Sequence, residues 1–350
     1  MRFPTRRQRT TAGLAALMTS ALLTSTAACA SGAEAPARTQ SGVSAQTGTV
    51  QNGTGNTAVR VDVRREMRAL EKKYESRIGA FALDTATGKS AGYRDGERFP
   101  LASTFKAFAA AALQHKARTT DPRLLDRVVH WTEDDILENS PVTELEENIR
   151  NGMTFAQLCH AAITVSDNTA ANLILDEIGG PAALTRFFRS IGDPVSRLDR
   201  TEPGLNLWHP GEKRDTTQPA AVARSLQSVT VGRGLTAPDR AQLIGWLKDT
   251  STGTARIKAG LPEGWTLGHK TGTAGASNYG AANDVAIAWS PASSAVRGGT
   301  TPHAPRGGSA ASEAPVFIAV YTNRVENGRE NDDAAIASAT AVLIRALGRS

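Results

Sequence analysis

The chain has 350 residues, 40% hydrophobic and 21% charged, with a formal net charge of +6 and two cysteines. Those proportions exclude a disordered, collagen-like or polytopic membrane protein, and two cysteines are too few for a disulfide framework or a zinc ribbon. Arg2, Arg6, Arg7 and Arg9 sit in the first 30 residues with no acid among them, so +6 less these four leaves +2 for the rest, which is no phosphate-binding stripe.

Behind that basic start, Thr11 to Ala28 is apolar and rich in small residues. This layout predicts a secretory signal peptide over residues 1–30. Ala28-Cys29-Ala30 has the small–x–small form of a cleavage site, which places the mature start near Ser31. Ala27-Ala28-Cys29 also partly fits a lipoprotein signal with a lipid on Cys29, although Thr26 stands where Leu is usual. Arg6-Arg7 fits a twin-arginine route poorly. Each reading exports the chain, as a secreted protein or a membrane-attached lipoprotein.

Residues 31–60 are mostly Ser, Gly, Thr, Gln and Ala, which bury too little surface to offset their ordering entropy. They read as a flexible linker ahead of a domain over 61–350.

Within that domain, Val61 to Arg77 follows a charged helical pattern, and Ile78 to Asp84 reads as a strand. Thr87-Gly88 turns into a second strand ending near Phe99. Ser103 to His115 is an Ala-rich, mostly buried helix. Thr154 to Gln157 fits a capping box, with Phe155, Leu158, Cys159, Ala162 and Ile163 as its apolar stripe. Thr169 to Ile178 is another helix, stopped by Gly179-Gly180. Trp265–Thr273, Asp284–Trp289 and Val316–Thr322 are strand-like, and Asn331–Leu347 is a closing helix. Between the last two strands lies a low-complexity insertion, 291–314. Strands at both ends with helices between them predict an α+β fold. An antiparallel sheet built from both termini forms an α/β lobe (61–99 and 250–350), and an all-α lobe (100–249) is inserted. A cleft between two such lobes suits a small-molecule site.

Three short motifs carry chemistry. Ser103-Thr-Phe-Lys106 puts a hydroxyl and an ammonium on one face of a helix's first turn, where a desolvated lysine can take the serine proton. Ser166-Asp167-Asn168 offers a proton relay and an amide that can hold a substrate carbonyl, although Ser-Asp before a helix is also what capping asks for. Lys270-Thr271-Gly272 lies on a strand, where Gly admits close approach and Lys270 offers charge to an acidic substrate. By composition, about 0.6, 0.04 and 0.09 chance matches are expected for the three patterns, so only their conjunction is informative.

In that order, and with Leu198-Asp-Arg-Thr-Glu-Pro-Gly-Leu-Asn206 between the second and third, the motifs resemble those of the class A serine β-lactamases, within the β-lactamase/D-Ala-D-Ala peptidase-like fold. The resemblance covers about residues 60–350. It implies hydrolysis of penicillins and cephalosporins through a Ser103 acyl-enzyme, and hence antibiotic resistance. Lys106, or Glu202 through water, is then the acylation base, and Ser166 relays the proton. Glu202 with Asn206 delivers the deacylating water, and Asn168 holds the substrate amide. Lys270, Thr271, Gly272, Thr273 and Arg256 hold the substrate carboxylate side, with the N–H groups of Ser103 and Thr273 as oxyanion hole. An Arg200–Asp215 pair closing the intervening loop and a cis Glu202-Pro203 bond are implied as well.

Several positions depart from the family pattern. Asn139 stands where many relatives have an aromatic, and His269 replaces the usual Asp before Lys270. Ala102 and Ala274 cannot form the carbapenemase disulfide, and Cys159 reads as a buried, inert thiol because Ala110 is not its usual partner. Six His and two Cys show no ligand spacing, so no metal or cofactor is expected, nor a nucleic-acid or stable protein partner; the chain reads as a monomer. A D-Ala-D-Ala peptidase or transpeptidase would share Ser103, Lys106, Ser166 and Lys270, but Glu202 and Asn206 argue against it. A non-hydrolytic β-lactam sensor is the third reading.

Overall fold

The computed structural model describes residues 61–291 and 314–349. The leader, the linker and residues 292–313 of the low-complexity stretch lie outside them. In chain order the regular elements are helix α1 (Val63–Tyr74), strands β1 (Ser76–Asp84), β2 (Ser90–Tyr93) and β3 (Phe99–Pro100), and helix α2 (Phe105–Thr119). Next come β4 (Val128–Val129), α3 (Glu146–Asn151), β5 (Met153–Thr154), α4 (Phe155–Thr164), α5 (Asn168–Ile178) and α6 (Pro181–Ser190). The chain then runs through β6 (Thr216–Thr217), α7 (Pro219–Thr230), α8 (Ala237–Lys248), α9 (Ile257–Gly260), β7 (Thr266–Thr273), β8 (Ala282–Trp289), β9 (Val316–Arg324) and α10 (Asp333–Leu347).

Five strands form one antiparallel sheet in the order β2-β1-β9-β8-β7, two from the start of the domain and three from its end. Strand β1 pairs with β9 along its whole length, from Ser76 opposite Arg324 to Asp84 opposite Val316. Both faces of the sheet are covered, so β9 reads as a continuous apolar run rather than an alternation. Its side chains still alternate in destination. Phe317, Ala319 and Tyr321 enter the core shared with α2, α4, α5, α7 and α8, while Val316, Ile318 and Val320 enter a second core under α1 and α10. Ala-rich α2 runs through the first core, where Ala107 to Leu113 are buried.

Local signals set the helix ends. Asp62 caps α1 by accepting from the Arg65 N–H, and Thr154 and Gln157 form the expected capping box at α4. Gly179, at φ 97°, ends α5 in the left-handed region, and Pro181 opens α6.

One expectation changes. The strand expected to run on to Phe99 is interrupted at Arg94–Glu97, and β3 leaves the sheet to pair with β6. Pro100 has no N–H for a longer ladder, and Phe99 is buried against the Cα of Gly79, where a Cβ would come within 2.2 Å of its ring. Likewise the helix expected from Ser103 opens as a 3₁₀ turn, Ala102–Thr104.

Candidate active site

Ser103 lies in that 3₁₀ turn, one residue after Ala102 at φ 42°. A left-handed conformation at a residue with a Cβ stores about 1–3 kcal/mol and persists only where the surroundings dictate it. Two contacts do so here. Thr104 Oγ1 donates to Leu101 O (2.6 Å) and lies 2.8 Å from Tyr321 Oη of β9. Gly272 of β7 packs against the turn so closely that a Cβ would lie 3.0–3.1 Å from Leu101 O, Ala102 Cβ and Ser103 N. The glycine of the third motif therefore brings β7 up to the serine of the first.

Lys106, one turn later, is fully buried. Its Nζ donates to Ser166 O (2.7 Å), Asn168 Oδ1 (2.5 Å) and Ser166 Oγ (3.3 Å) and lies 3.2 Å from Glu202 Oε1. Burial pushes its pKa down, and the Glu202 carboxylate opposes that shift. Ser103 Oγ donates to Glu202 Oε1 (3.1 Å). Although the sequence admitted Lys106 as the direct partner of Ser103, the hydroxyl is hydrogen-bonded to Glu202.

Glu202 is 3% exposed, and its peptide bond to Pro203 is cis. Asn206 Nδ2 donates to its Oε2 (2.7 Å), and Asn206 Oδ1, though buried, has no hydrogen-bond partner. The Glu202 backbone is gripped from α5: Asn172 Nδ2 donates to Glu202 O (2.9 Å), and Glu202 N donates to Asn172 Oδ1 (3.0 Å). The loop is closed as expected, with Arg200 Nε donating to Asp215 Oδ2 (2.6 Å) and the N–H groups of Asp199 and Arg200 donating to Asp215 Oδ1.

Ser166, at φ 63°, sits between α4 and α5. Its Oγ accepts from both Lys106 and Lys270 Nζ (3.1 Å), so one hydroxyl bridges the two lysines. Asp167 does cap α5, accepting from Ala170 N–H, and it also ties down Val142 and Thr143. The capping and catalytic readings of this motif thus apply to different residues of it. Asn168 Oδ1 receives Lys106 and its Nδ2 donates to Glu138 O (2.7 Å).

Lys270 is fully buried; burial, and then the charge of Lys106, hold its pKa well below the ordinary value. Thr271 Oγ1 pairs with Thr252 Oγ1 (2.7 Å), whereas Thr273 is exposed at the cleft. Arg256 differs from the expectation of direct substrate contact. It is 5% exposed, bound to Asp333 (2.9 Å) and to the Gly272 and Asn283 carbonyls, and it reaches the site through Nη2 donating to Thr273 Oγ1 (2.7 Å). Four of its five donors are engaged by these groups, one of them by Thr273, so it orients Thr273. His269, in place of the usual Asp, lies 3.0 Å from Asp284 Oδ1 on the neighbouring strand.

Asn139, Asn168, Asn206, Leu207, Thr273 and Gly275 line a cavity of about 280 Å³ in front of these groups. Asn139 is at φ 60° and its carbonyl accepts from the Asn168 N–H, so it holds the wall by backbone where an aromatic would hold it by its ring. Burial raises the pKa of Cys159, in keeping with an inert thiol. Among the described residues, no group of three or more His, Cys, Asp or Glu is placed to hold a metal. No described helix is long and apolar enough to cross a membrane.

The sequence reading missed Asn172. It lies at i+4 from Asn168 on α5, hence on the same face, and that spacing was the available signal.

Residues 62–347 match the model of a family described as the beta-lactamase enzyme family. The chain is 43% identical over 282 residues to Beta-lactamase FAR-1 of Nocardia farcinica, covering 81% of this chain and 82% of that one. It is 41% identical to the carbapenem-hydrolyzing beta-lactamase KPC of Klebsiella oxytoca, covering 85% and 92%. Among solved structures, a beta-lactamase from Streptosporangium roseum superposes with TM-score 0.73 at 53% identity, over 82% of this chain and 99% of that one. A reconstructed class A enzyme, the last common ancestor of Gram-negative bacteria, gives 0.71 at 43%, over 81% and 99%.

Proposed function

Because the chain belongs to the beta-lactamase enzyme family as a class A member and hydrolyses the β-lactam ring, we propose that it does so through a Ser103 acyl-enzyme, with Glu202 as the proton acceptor in both half-reactions. The observation that carries this reading is the position of one buried carboxylate, 3.1 Å from Ser103 Oγ through Oε1 and 2.7 Å from Asn206 Nδ2 through Oε2.

In acylation, Glu202 takes the Ser103 proton as Oγ attacks the lactam carbonyl. Lys106 donates to Ser166 and Asn168 and stays beside Glu202, so its charge stabilises the carboxylate and the developing oxyanion rather than receiving the proton. Backbone N–H groups of Ser103 and Thr273 hold that oxyanion, and the close packing of Gly272 on the Ser103 turn supports the pairing. Ser166 passes its proton to the lactam nitrogen and takes one from Lys106, which recovers it from Glu202, so that Glu202 is again a carboxylate when deacylation begins; Lys270 holds the Ser166 hydroxyl in place. Lys270 and Thr273, oriented by Arg256, take the substrate carboxylate, Thr271 lies beside them on β7, and Asn168 faces the side-chain amide.

In deacylation, Glu202 removes a proton from water and Asn206 is its second holder. The unpaired, buried Asn206 Oδ1 supports that role, since a buried acceptor without a protein donor calls for a hydrogen bond from elsewhere. The leader over 1–30 exports the enzyme, which acts as a monomer; the mass of the exported protein distinguishes a start near Ser31 from a retained, lipidated Cys29.

Glu202→Ala tests the mechanism. The variant is expected to acylate more slowly than wild type, for want of the Glu202 acceptor, yet to hold a penicilloyl adduct on Ser103 that intact mass detects after benzylpenicillin is added. Turnover at near wild-type rate in that variant would sink the assigned role.

A further inference from the structure

A larger cavity of about 550 Å³ is bordered by the part of the Glu202 loop that follows the cleft-lining residues. Its walls are Trp208 and Pro210 to Lys213 of that loop, Arg77 at the start of β1, Glu97 and Arg98 ahead of β3, and Asn323 to Val325 at the end of β9. The volume is that of a small-molecule site. Trp208, Pro210, Val325 and the arginine stems supply apolar surface.

The charges in the wall are unbalanced. Four cations and two acids line it, and both acids are already engaged: Glu97 by Arg77 (2.8 Å) and Arg94 (3.0 Å), and Glu212 by Arg214 (2.7 Å). Arg98 donates only to neutral oxygens, Val195 O and Thr216 Oγ1, and Arg324 likewise to Glu330 O, Tyr74 O and Ser76 Oγ. Among the described residues no carboxylate lies within ion-pair distance of Arg98, Arg324 or Lys213. Burial, and then the nearby Arg197 and Arg189, depress the Arg98 pKa against the opposing charge of Asp193, so its positive charge is held at a net cost that an anion in the cavity would offset further.

We propose that this cavity is a second binding site, distinct from the catalytic cleft, for a small flat aromatic anion whose ring lies against Val325 and Pro210 and whose carboxylate or sulfonate faces Arg98, Lys213 and Arg324. Its occupant touches the loop that carries Glu202. There the Trp208 N–H donates to Asn206 O (2.8 Å) and the Trp208 ring N–H to Glu212 O (3.3 Å), so the site abuts the segment that positions Asn206.

The test is calorimetric titration of the mature enzyme with 2-naphthoate, with neutral 2-naphthamide as control. One site per chain is expected, with the amide at least tenfold weaker. Val325→Asp places a like charge at the rim from a position that is 69% exposed and so tolerates it, and Lys213→Glu reverses an exposed cation. Each is expected to weaken 2-naphthoate at least tenfold, with an unchanged circular-dichroism spectrum. At a saturating concentration 2-naphthoate should leave the KM for benzylpenicillin within twofold. Competitive inhibition with an inhibition constant equal to the calorimetric Kd would place the anion in the catalytic cleft and overturn the proposal. So would equal affinity in wild type and Val325→Asp, equal affinity for the amide, or no binding at millimolar concentration.

Discussion

Replacing Asn172 by Ala isolates the grip on Glu202. The side chain makes two hydrogen bonds to the backbone of a residue that is 3% exposed, one accepted from Glu202 N (3.0 Å) and one donated to Glu202 O (2.9 Å). Each contributes about 1 kcal/mol net when present, and leaving a buried N–H or carbonyl unpaired costs about 1–3 kcal/mol, so the truncation, which unpairs one of each, is expected to destabilise by about 2–6 kcal/mol. At about 2 °C per kcal/mol for a domain of this size, the thermal midpoint should fall by about 4–12 °C. The functional effect is separable. Asn172 does not touch Ser103, Lys106 or Ser166, so these stay in place, but the Glu202 carboxylate is no longer held for either proton transfer; acylation slows as well as deacylation, the step read here. A loss of positioning equivalent to 1.4 kcal/mol slows that step about tenfold. The assay is the lifetime of the benzylpenicillin adduct by quenched-flow mass measurement, beside a melting curve. A midpoint within 1 °C of wild type, together with an unchanged adduct lifetime, would refute the reasoning.

Three further outcomes follow from the geometry. Gly272→Ala sets a methyl 3.0–3.1 Å from Leu101 O and Ser103 N, so β7 must move off the nucleophile turn; kcat/KM should drop at least tenfold with the circular-dichroism spectrum retained, and wild-type kinetics would rule the close packing out as a catalytic requirement. The pKa of Lys270 lies below its unfolded value of 10.5, so between the two values the unfolded chain binds more protons and this group favours folding more as pH rises. Denaturant unfolding from pH 7 to 10 should therefore shift in favour of wild type relative to Lys270→Met, and a pH-independent difference would contradict the direction of the shift. Asp84, held at about 2 chiefly by its hydrogen bonds from Arg349, contributes stability above its unfolded value of 3.8 that is lost as pH falls through about 2. Arg349→Ala should remove up to about 2 kcal/mol of it at neutral pH. Equal stability of the two proteins at pH 6 would count against it.

Much of the architecture was legible because its causes are local. The capping box Thr154–Gln157, the Gly179-Gly180 stop and the apolar run of β9 are written in adjacent residues, and each forms where its pattern lies. The strand expected to reach Phe99 was misjudged because leaving the sheet depends on Gly79, twenty residues away, and on pairing with Thr216–Thr217. In the site, serine, lysine, glutamate and amides could be read as motifs, since each is a few residues in one element. Their division of labour could not be read in this way.

That division is tertiary. Residues 103 and 202 share a hydrogen bond only because Asn172 and the Arg200–Asp215 closure aim the loop inward, and Ala102 is held at φ 42° only because Tyr321 and Gly272 bear on its turn. Arg256, expected as a substrate ligand, is shown by the structure to support Thr273 while Asp333, Gly272 and Asn283 take three of its other donors. A sequence specifies which functional groups exist and which face of a helix or strand carries them, because helical and pleated periodicity are properties of consecutive residues. Which hydroxyl donates to which carboxylate, and which lysine stays charged, depends on distances and desolvation across the fold, and these exist only after strands from the two ends of the domain have paired.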